Sequence, residues 1–441
     1  MPFSFLKYLN PVLYFSLKRK DKTYVFPNYN SIPTSVLRRL DKEYLFKSSL
    51  AKEYDLSWQA INSGYISDKS TYTEFEQLPL SDEYAFIIRN FHKVWSFYVL
   101  IIRLITLKNP FKEITSFFQS FHVKRVSYFK QHIFYDFENF DSELILSNPK
   151  VSVIIPTLNR YNYLKDILSD FEKQSYSNFE LVIVDQSDNF SLSFYEDWNL
   201  DINLYNQKEK ALWLARNNAI NYASGSIIAL SEDDVRIDAN WVENHLKCLD
   251  YFNADISAGV FFPENSTLPK NSSFFKFASH FATGNSMLYK HVFKTTGLFD
   301  RQFERQRMGD GEFGLRAYLH NFISVSNPLA YCIDIKAPDG GLRMMGSWDS
   351  FRSKKFFAPK PAPSVLYIYR KYFGLRKTIL FLIKTLPTSF SPYKFKNNKL
   401  VNLVMFIFFP FFFPFTIYKV LLSWNQSSKK LNEGDKIGVL K

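Results

Sequence analysis

The chain has 441 residues, enough for two or three domains with separate cores. A hydrophobic fraction of 46% excludes a disordered chain, and two cysteines, Cys248 and Cys332, exclude a disulfide framework or a thiolate metal site. The formal charge of +13, from 55 basic and 42 acidic residues, points to an anionic partner: nucleic acid, acidic lipid or a phosphorylated substrate.

Residues 1–148 carry no chemical motif. Pro33 to Phe46 and Tyr84 to Phe97 have apolar residues three and four apart and are predicted helical. The run Phe97 to Leu107, broken by Arg103, is too short to span a bilayer. It reads as a packed element in preference to an interfacial helix. The first eight residues lack an apolar stretch of signal-peptide length, so secretion is not expected. Both cysteines lie in apolar surroundings, as thiols do in a reducing compartment.

The pattern changes at Pro149. Val151–Ile155, Leu181–Val184, Ile202–Tyr205 and Ile227–Leu230 read as strands. Tyr163, Leu164, Ile167, Leu168 and Phe171 recur at helical spacing, and a second helix is predicted over Leu212–Tyr222. This βαβ rhythm predicts a mainly parallel sheet with helices on both faces. Ligands of such sheets bind at the carboxyl ends of the strands. The domains expected are an N-terminal, mostly helical region at 1–148, a catalytic α/β domain at 149–345, and a basic, aromatic tail at 346–441.

The strand ends are where chemistry is sought. Pro156-Thr157-Leu158-Asn159-Arg160 follows the first strand: Pro156 ends it, and Thr157 or Asn159 can cap the next helix. A helix start at a strand end can also hold a diphosphate. Asp185 and Ser187 follow the second strand, where the carboxylate suits a base or ribose hydrogen bond, or a helix cap. Glu232-Asp233-Asp234 follows Ile227–Leu230. Three adjacent acids repel one another unless a cation binds, and hard oxygen ligands suit Mg²⁺ or Mn²⁺.

VSVIIPTLNR (151–160), LVIVDQS (181–187), ARNN (215–218) and IALSEDD (228–234), in this order and spacing, resemble family 2 glycosyltransferases with the GT-A fold. The resemblance covers about 200 residues and neither flank. It implies that Thr157 and Arg160 line a nucleotide pocket, with Pro156, Asn159 and Ser187 beside them. It also implies that Asp185 contacts the base and Arg216 the diphosphate or donor sugar. Asp234 becomes the direct ligand of a divalent metal, Mn or Mg, with Glu232 in place of the commoner Asp. Asp233 faces the donor sugar or ribose. Thr283-Gly284-Asn285 resembles the segment shaping the acceptor side, with Asn285 and then Glu312 as contacts. Met308–Arg316 (MGDGEFGLR) resembles the motif that carries the general base, which falls on Asp310; Gly309 replaces its Glu. Tyr331–Arg343 resembles a late segment whose metal-binding His is here Asp334. Gly340 and Gly341 in it read as a lid or a simple turn. His245 is read as structural.

One base and a metal-bound leaving diphosphate predict inversion at the anomeric carbon. The expected function is transfer of a sugar from a nucleotide diphosphate donor, UDP-linked, to a glycan or lipid-linked acceptor in cell-surface polysaccharide or glycolipid synthesis. Two alternatives keep the scaffold: a sugar nucleotidyltransferase, though Pro156–Arg160 has no glycine, and a non-catalytic binding protein. Nucleic acid is not expected, because the basic stretch is interleaved with long apolar runs. No acidic residue occurs between Asp349 and Glu433, where fifteen Lys or Arg do. With the apolar runs Lys377–Leu386 and Leu403–Tyr418, this predicts a tail lying on an anionic membrane surface, on its cytoplasmic side. Pro410 and Pro414 are expected to break the second run. The other reading is a helix docked on the catalytic domain.

Overall fold

The computed structural model describes residues 1–42, 46–67, 70–128, 131–335, 337, 357–391, 395 and 398–441. The chain forms two compact units: residues 1–135 with 372–386, and residues 136–371 with 387–441.

The first unit is helical. Its main helices are α1 (Ser49–Asn62), α2 (Leu80–Asn90), α3 (Val94–Ile105) and α4 (Pro110–Ser120). Ser48 caps α1 by accepting from the Ala51 amide, and Asn109 with Pro110 starts α4. Among the described residues of Pro33 to Phe46, the expected helix is the single turn Thr34–Leu37. The one expected over Tyr84 to Phe97 is two helices, because Phe91 takes an extended conformation and ends α2. The predicted packing of the run Phe97 to Leu107 is also overturned: α3 buries Ser96, Val99 and Arg103 and turns its larger apolar residues outward.

The second unit holds a mixed α/β sheet of nine strands. These are β1 (Val151–Thr157), β2 (Phe179–Asp185), β3 (Ile202–Asn206), β4 (Ile227–Ser231), β5 (Val235–Ile237), β6 (Ile256–Pro263), β7 (Lys276–Phe277), β8 (Asn285–Tyr289) and β9 (Ser324–Asp334). Their order is β3-β2-β1-β4-β8-β6-β9-β5, with β7 on β9. The first four in space are parallel, as predicted; β8 enters antiparallel between β4 and β6 and makes the sheet mixed. β1 and β2 are near-continuous apolar runs because both of their faces are covered. Val151, Val153 and Ile155 face the cluster built by α5 (Tyr161–Phe171) and by Trp241, Val242 and Leu246 of α7 (Trp241–Tyr251). Ile154 and Val182, equally buried, point to the other face, where α6 (Leu212–Tyr222) packs on β1 and β2. β1 does not stop at Pro156, which is in register with Val184. Pairing with β4 ends at Ile154, so the missing proline donor is tolerated there.

The unit continues through α8 (Lys290–Thr296), α9 (Gly309–Leu319) and α10 (Pro363–Ile368). Next, α11 (Gly374–Thr385) belongs to the first unit. Finally α12 runs unbroken from Lys399 to Glu433 and contains both Pro410 and Pro414, which do not end it. Its buried residues are the small Thr416, Val420, Ser423 and Ser427; its phenylalanines are largely exposed. The last residues return to the sheet domain. The Leu298 amide donates to the Gly438 carbonyl (2.8 Å) and the Lys436 amide to Asp300 (3.0 Å).

Candidate active site

Thr157 and Asp185 are register partners at the ends of β1 and β2, and Ser231 ends β4 on the other side of β1. Parallel pairing therefore gathers at one edge of the sheet the residues that follow three strands. Asp185 is fully buried. Its Oδ2 accepts from the hydroxyls of Tyr161 (2.6 Å) and Tyr195 (2.9 Å), and its Oδ1 from the Ser187 amide (2.8 Å). Burial and the facing carboxylate push the Tyr195 hydroxyl well up, so it stays a donor. Two tyrosines thus fix the carboxylate that the sequence placed at a base. Neither was foreseen: Tyr161 opens α5, and Tyr195 comes from a short turn with no motif.

Thr157 and Asn159 do not cap α5, whose start has no side-chain cap. The Thr157 hydroxyl instead donates to Asp233 (2.8 Å). Asn159, with a left-handed φ of 55°, exchanges hydrogen bonds with Asp188 through its amide, and its backbone N–H donates to Ser187 Oγ (2.8 Å). These bonds tie the β1 turn to the β2 turn. Pro156 lies within the buried strand.

Arg160 bridges two acids, with Nη1 3.0 Å from Asp233 and 3.1 Å from Asp234. All three side chains are nearly inaccessible. Burial pushes the Asp233 carboxyl up to about 6 against the pull of Arg160, with Asp234 adding repulsion. Glu232 turns another way. Its Oε1 is 3.5 Å from Nη2 of Arg216, which also donates to the Thr283 carbonyl (3.2 Å). A Cβ on Gly284 would lie 2.7 Å from the Glu232 carboxyl carbon, so only glycine leaves room for it there. The Arg216 Nε is buried without a protein partner.

Asp310 is the second residue of α9, entered through Met308 in a left-handed conformation. Its Oδ1 accepts from the Gly311 amide (2.7 Å). Burial raises its carboxyl, opposed by that amide and by the charges of Arg216 and His280. Arg216 feels Glu232 and Asp310 together, which makes it the shared cation between the acidic turn and α9. Gly309, where the motif has Glu, is explained by Trp213. A Cβ there would sit 2.4 Å from the indole, whose Nε1 donates to the Phe303 carbonyl.

Two sequence assignments change. Asn285 is not on an acceptor surface. It is fully buried in β8: Oδ1 accepts from Trp241 Nε1 (2.9 Å) and meets His245 Nε2 (3.0 Å), while Nδ2 donates to the Val260 and Ala330 carbonyls. Burial lowers His245 to about 4, so it is neutral and structural, as read. Glu312 is likewise buried, in an ion pair with Arg316 (2.9 Å). Asp334 pairs in β-register with Val235, next to Asp234, yet no group of three metal-binding side chains forms among the described residues. Gly340 and Gly341 lie outside the described residues.

Residues 152–305 match the family described as Glycosyl transferase family 2. The central domain belongs to this family. Curated relatives of the family 2 domain include glycosyltransferase GlyA of Streptococcus pneumoniae, 30% identical over 171 residues, which are 37% of this chain and 23% of GlyA. Another is UDP-Glc:alpha-D-GlcNAc-diphosphoundecaprenol beta-1,3-glucosyltransferase WfgD of Escherichia coli, 36% identical over 102 residues, 22% of this chain and 38% of WfgD. The chain thus spans well under half the length of these relatives. Among solved structures, Staphylococcus aureus TarS 1-349 in complex with UDP-GlcNAc has a TM-score of 0.41 at 20% identity, covering 58% of this chain and 78% of that one.

A family 2 domain is a transferase domain, and its residues here suit a metal. Glu232, Asp233, Asp234 and Asp310 face two guanidiniums, so the formal balance of the site is negative. A divalent cation with one or two carboxylates and phosphate oxygens would balance that charge.

Proposed function

We propose that the chain is an inverting glycosyltransferase that moves a sugar from a UDP-linked donor to a hydroxyl of a lipid-linked or glycan acceptor. The observation carrying this is the gathering of Asp185, Arg160, Asp234, Arg216 and Asp310 at one strand-end edge of a family 2 domain. The UDP donor and lipid-linked acceptor are supported by the activity for which WfgD is named and by the family resemblance.

Asp185, held by its tyrosines, keeps lone pairs on Oδ1 to accept from the N–H of the base. Arg160 and Arg216 take the donor phosphates, the latter through its unpartnered Nε. Asp234 and Glu232 would hold Mn²⁺ or Mg²⁺, which supplies charge stabilisation to the departing diphosphate. Asp310 accepts the proton of the attacking acceptor hydroxyl. The new bond forms opposite the leaving group, in a single inversion. The exposed apolar helix α12 and its flanking lysines support a site of action at the cytoplasmic face of an anionic membrane.

The test is thermal unfolding of the full chain with UDP, GDP and TDP, with and without Mn²⁺, followed by donor turnover in chelator. UDP with Mn²⁺ should raise the midpoint most, as selective binding to the folded state requires. Equal midpoints with all three nucleotides would remove the base assignment, and full turnover in chelator would remove the metal.

A further inference from the structure

We propose that the outward face of α3 and α4, in the helical first unit, is a docking surface for an anionic lipid bilayer. This goes beyond the transferase reading and does not depend on it.

The two helices are inverted with respect to water. α3 shows Val94, Phe97, Ile101 and Ile105 to solvent, a stripe at helical spacing, while burying Ser96 and Arg103. α4 shows Phe111, Ile114 and Phe118 and buries Glu113 and Ser120 beside the one inward ring, Phe117. Leu107, in the turn between them, is 92% exposed, Phe111 81% and Phe118 67%. The charged groups turned inward are paired, while the Tyr98 hydroxyl of α3 is buried without a partner among the described residues. Arg103 makes two bonds to Glu113, Nε to Oε2 at 2.7 Å and Nη2 to Oε1 at 2.5 Å. Tyr84 of α2 donates to Glu113 at 2.8 Å, and Ser120 to the Ser81 carbonyl at 2.7 Å. An ion pair inside and phenylalanines outside is a costly arrangement in water. It is the favourable one against hydrocarbon, where apolar side chains enter lipid and the ion pair stays within protein.

Charge selects the occupant. Between Phe91 and Tyr135 the only acidic residue is Glu113, which Arg103 neutralises. Lys93, Lys108 and Lys112, on or beside the two helices, are exposed, as are Lys124 and Arg125 just after α4. Lys93 caps the Phe121 carbonyl (3.1 Å) and lies over the Phe121 ring (4.7 Å), joining basic rim to apolar surface. A rim of one sign, without acids, suits anionic headgroups; a second copy of the same face would repel it. At 12 residues, about 18 Å, α3 is too short to cross a bilayer and lies along its surface.

The two native cysteines are buried, which lets a new thiol be labelled alone in the full chain. Phe118→Cys and, separately, Ile101→Cys would carry an environment-sensitive fluorophore. The expected result with vesicles of phosphatidylcholine and phosphatidylglycerol is a shift to shorter wavelength and quenching by acyl-chain quenchers. With Lys108→Glu/Lys112→Glu added, half-maximal shift should need at least about tenfold more lipid. Labels that stay unquenched at both positions while the protein floats with the vesicles would overturn the proposal. So would a wavelength shift that depends on protein concentration and not on lipid, which would mean self-association.

Discussion

Asp233 and Asp310 are both carboxylates raised by burial, yet they serve opposite ends. Asp233 accepts from Thr157 and Arg160 and cannot reach an acceptor without breaking both bonds. Its folded value of about 6 lies above the ordinary 3.8, so the protonated form favours folding. That contribution is full below about pH 4 and is lost as pH rises through 6. Asp233→Asn should therefore stabilise the ligand-free protein at pH 7.5, by about 1–3 kcal/mol, and flatten the stability profile between pH 4 and 6. Urea midpoints across that range measure it. Asp310 has the Gly311 amide on one oxygen, and burial raises its carboxyl, strengthening it as a base. Asp310→Asn should cost about 10²–10⁴ in kcat with an unfolding midpoint no lower than that of the unaltered chain. The acid limb of the wild-type rate should fall above the usual aspartate range, since the base works only when ionised. A limb at the ordinary value would put the base elsewhere.

The position of Asp310 is set by α9 as an element. Six residues along, Arg316 clamps the helix: Nε meets Glu312 at 2.9 Å, Nη1 the Thr296 carbonyl at 2.5 Å, and Nη2 the Leu298 carbonyl at 2.9 Å. Arg316→Met would leave Glu312 buried without its closest described cation, with Lys371 3.8 Å away. A loss of about 3–5 kcal/mol is expected, together with lower activity, and Arg316→Lys should not restore it. Denaturant midpoints of both variants check this. Elements of this kind were legible to different degrees. The four parallel strands and α6 follow directly from apolar runs and 3.6-residue spacing, and their ends from the need to leave the sheet. Glu312 and Asn285 were misplaced because a polar residue in a motif looks the same whether it faces a ligand or a buried partner. The partners, Arg316 on the next turn and Trp241 forty-four residues away, are fixed only by packing. Tyr195 was invisible for the same reason: its link to Asp185 is made by a turn, not by a spacing.

At the scale of the molecule, the two prolines of α12 separate a local rule from its context. Proline removes one helical donor and strains the preceding turn, so a break was expected. The helix nevertheless continues for 35 residues. Its residues 400–418 contain no charge, a length of about 28 Å, and among the described residues it is the one helix long and apolar enough to cross a membrane. Toward its far end, Thr416, Val420, Ser423 and Ser427 pack inward, Lys430 donates to the Gln302 carbonyl (2.6 Å), and Gln302 donates to the Gly434 carbonyl (2.8 Å). The helix is thus tied to the segment just before α9 at one end and leaves phenylalanines such as Phe411, 80% exposed, in solvent at the other. A tail held to membrane by its lysines alone would be released by salt, since screening removes that attraction within a Debye length. Burial of the exposed apolar face of α12 is insensitive to salt. The full chain should therefore remain on anionic vesicles in 1 M salt, conditions of roughly 3 Å Debye length, and leave only with detergent. Replacing Phe406 and Phe411 by Lys should increase the fraction released by salt while preserving the midpoint shift by UDP and Mn²⁺. Release of the unaltered chain by salt would assign its attachment to charge and return α12 to the role of a docked helix.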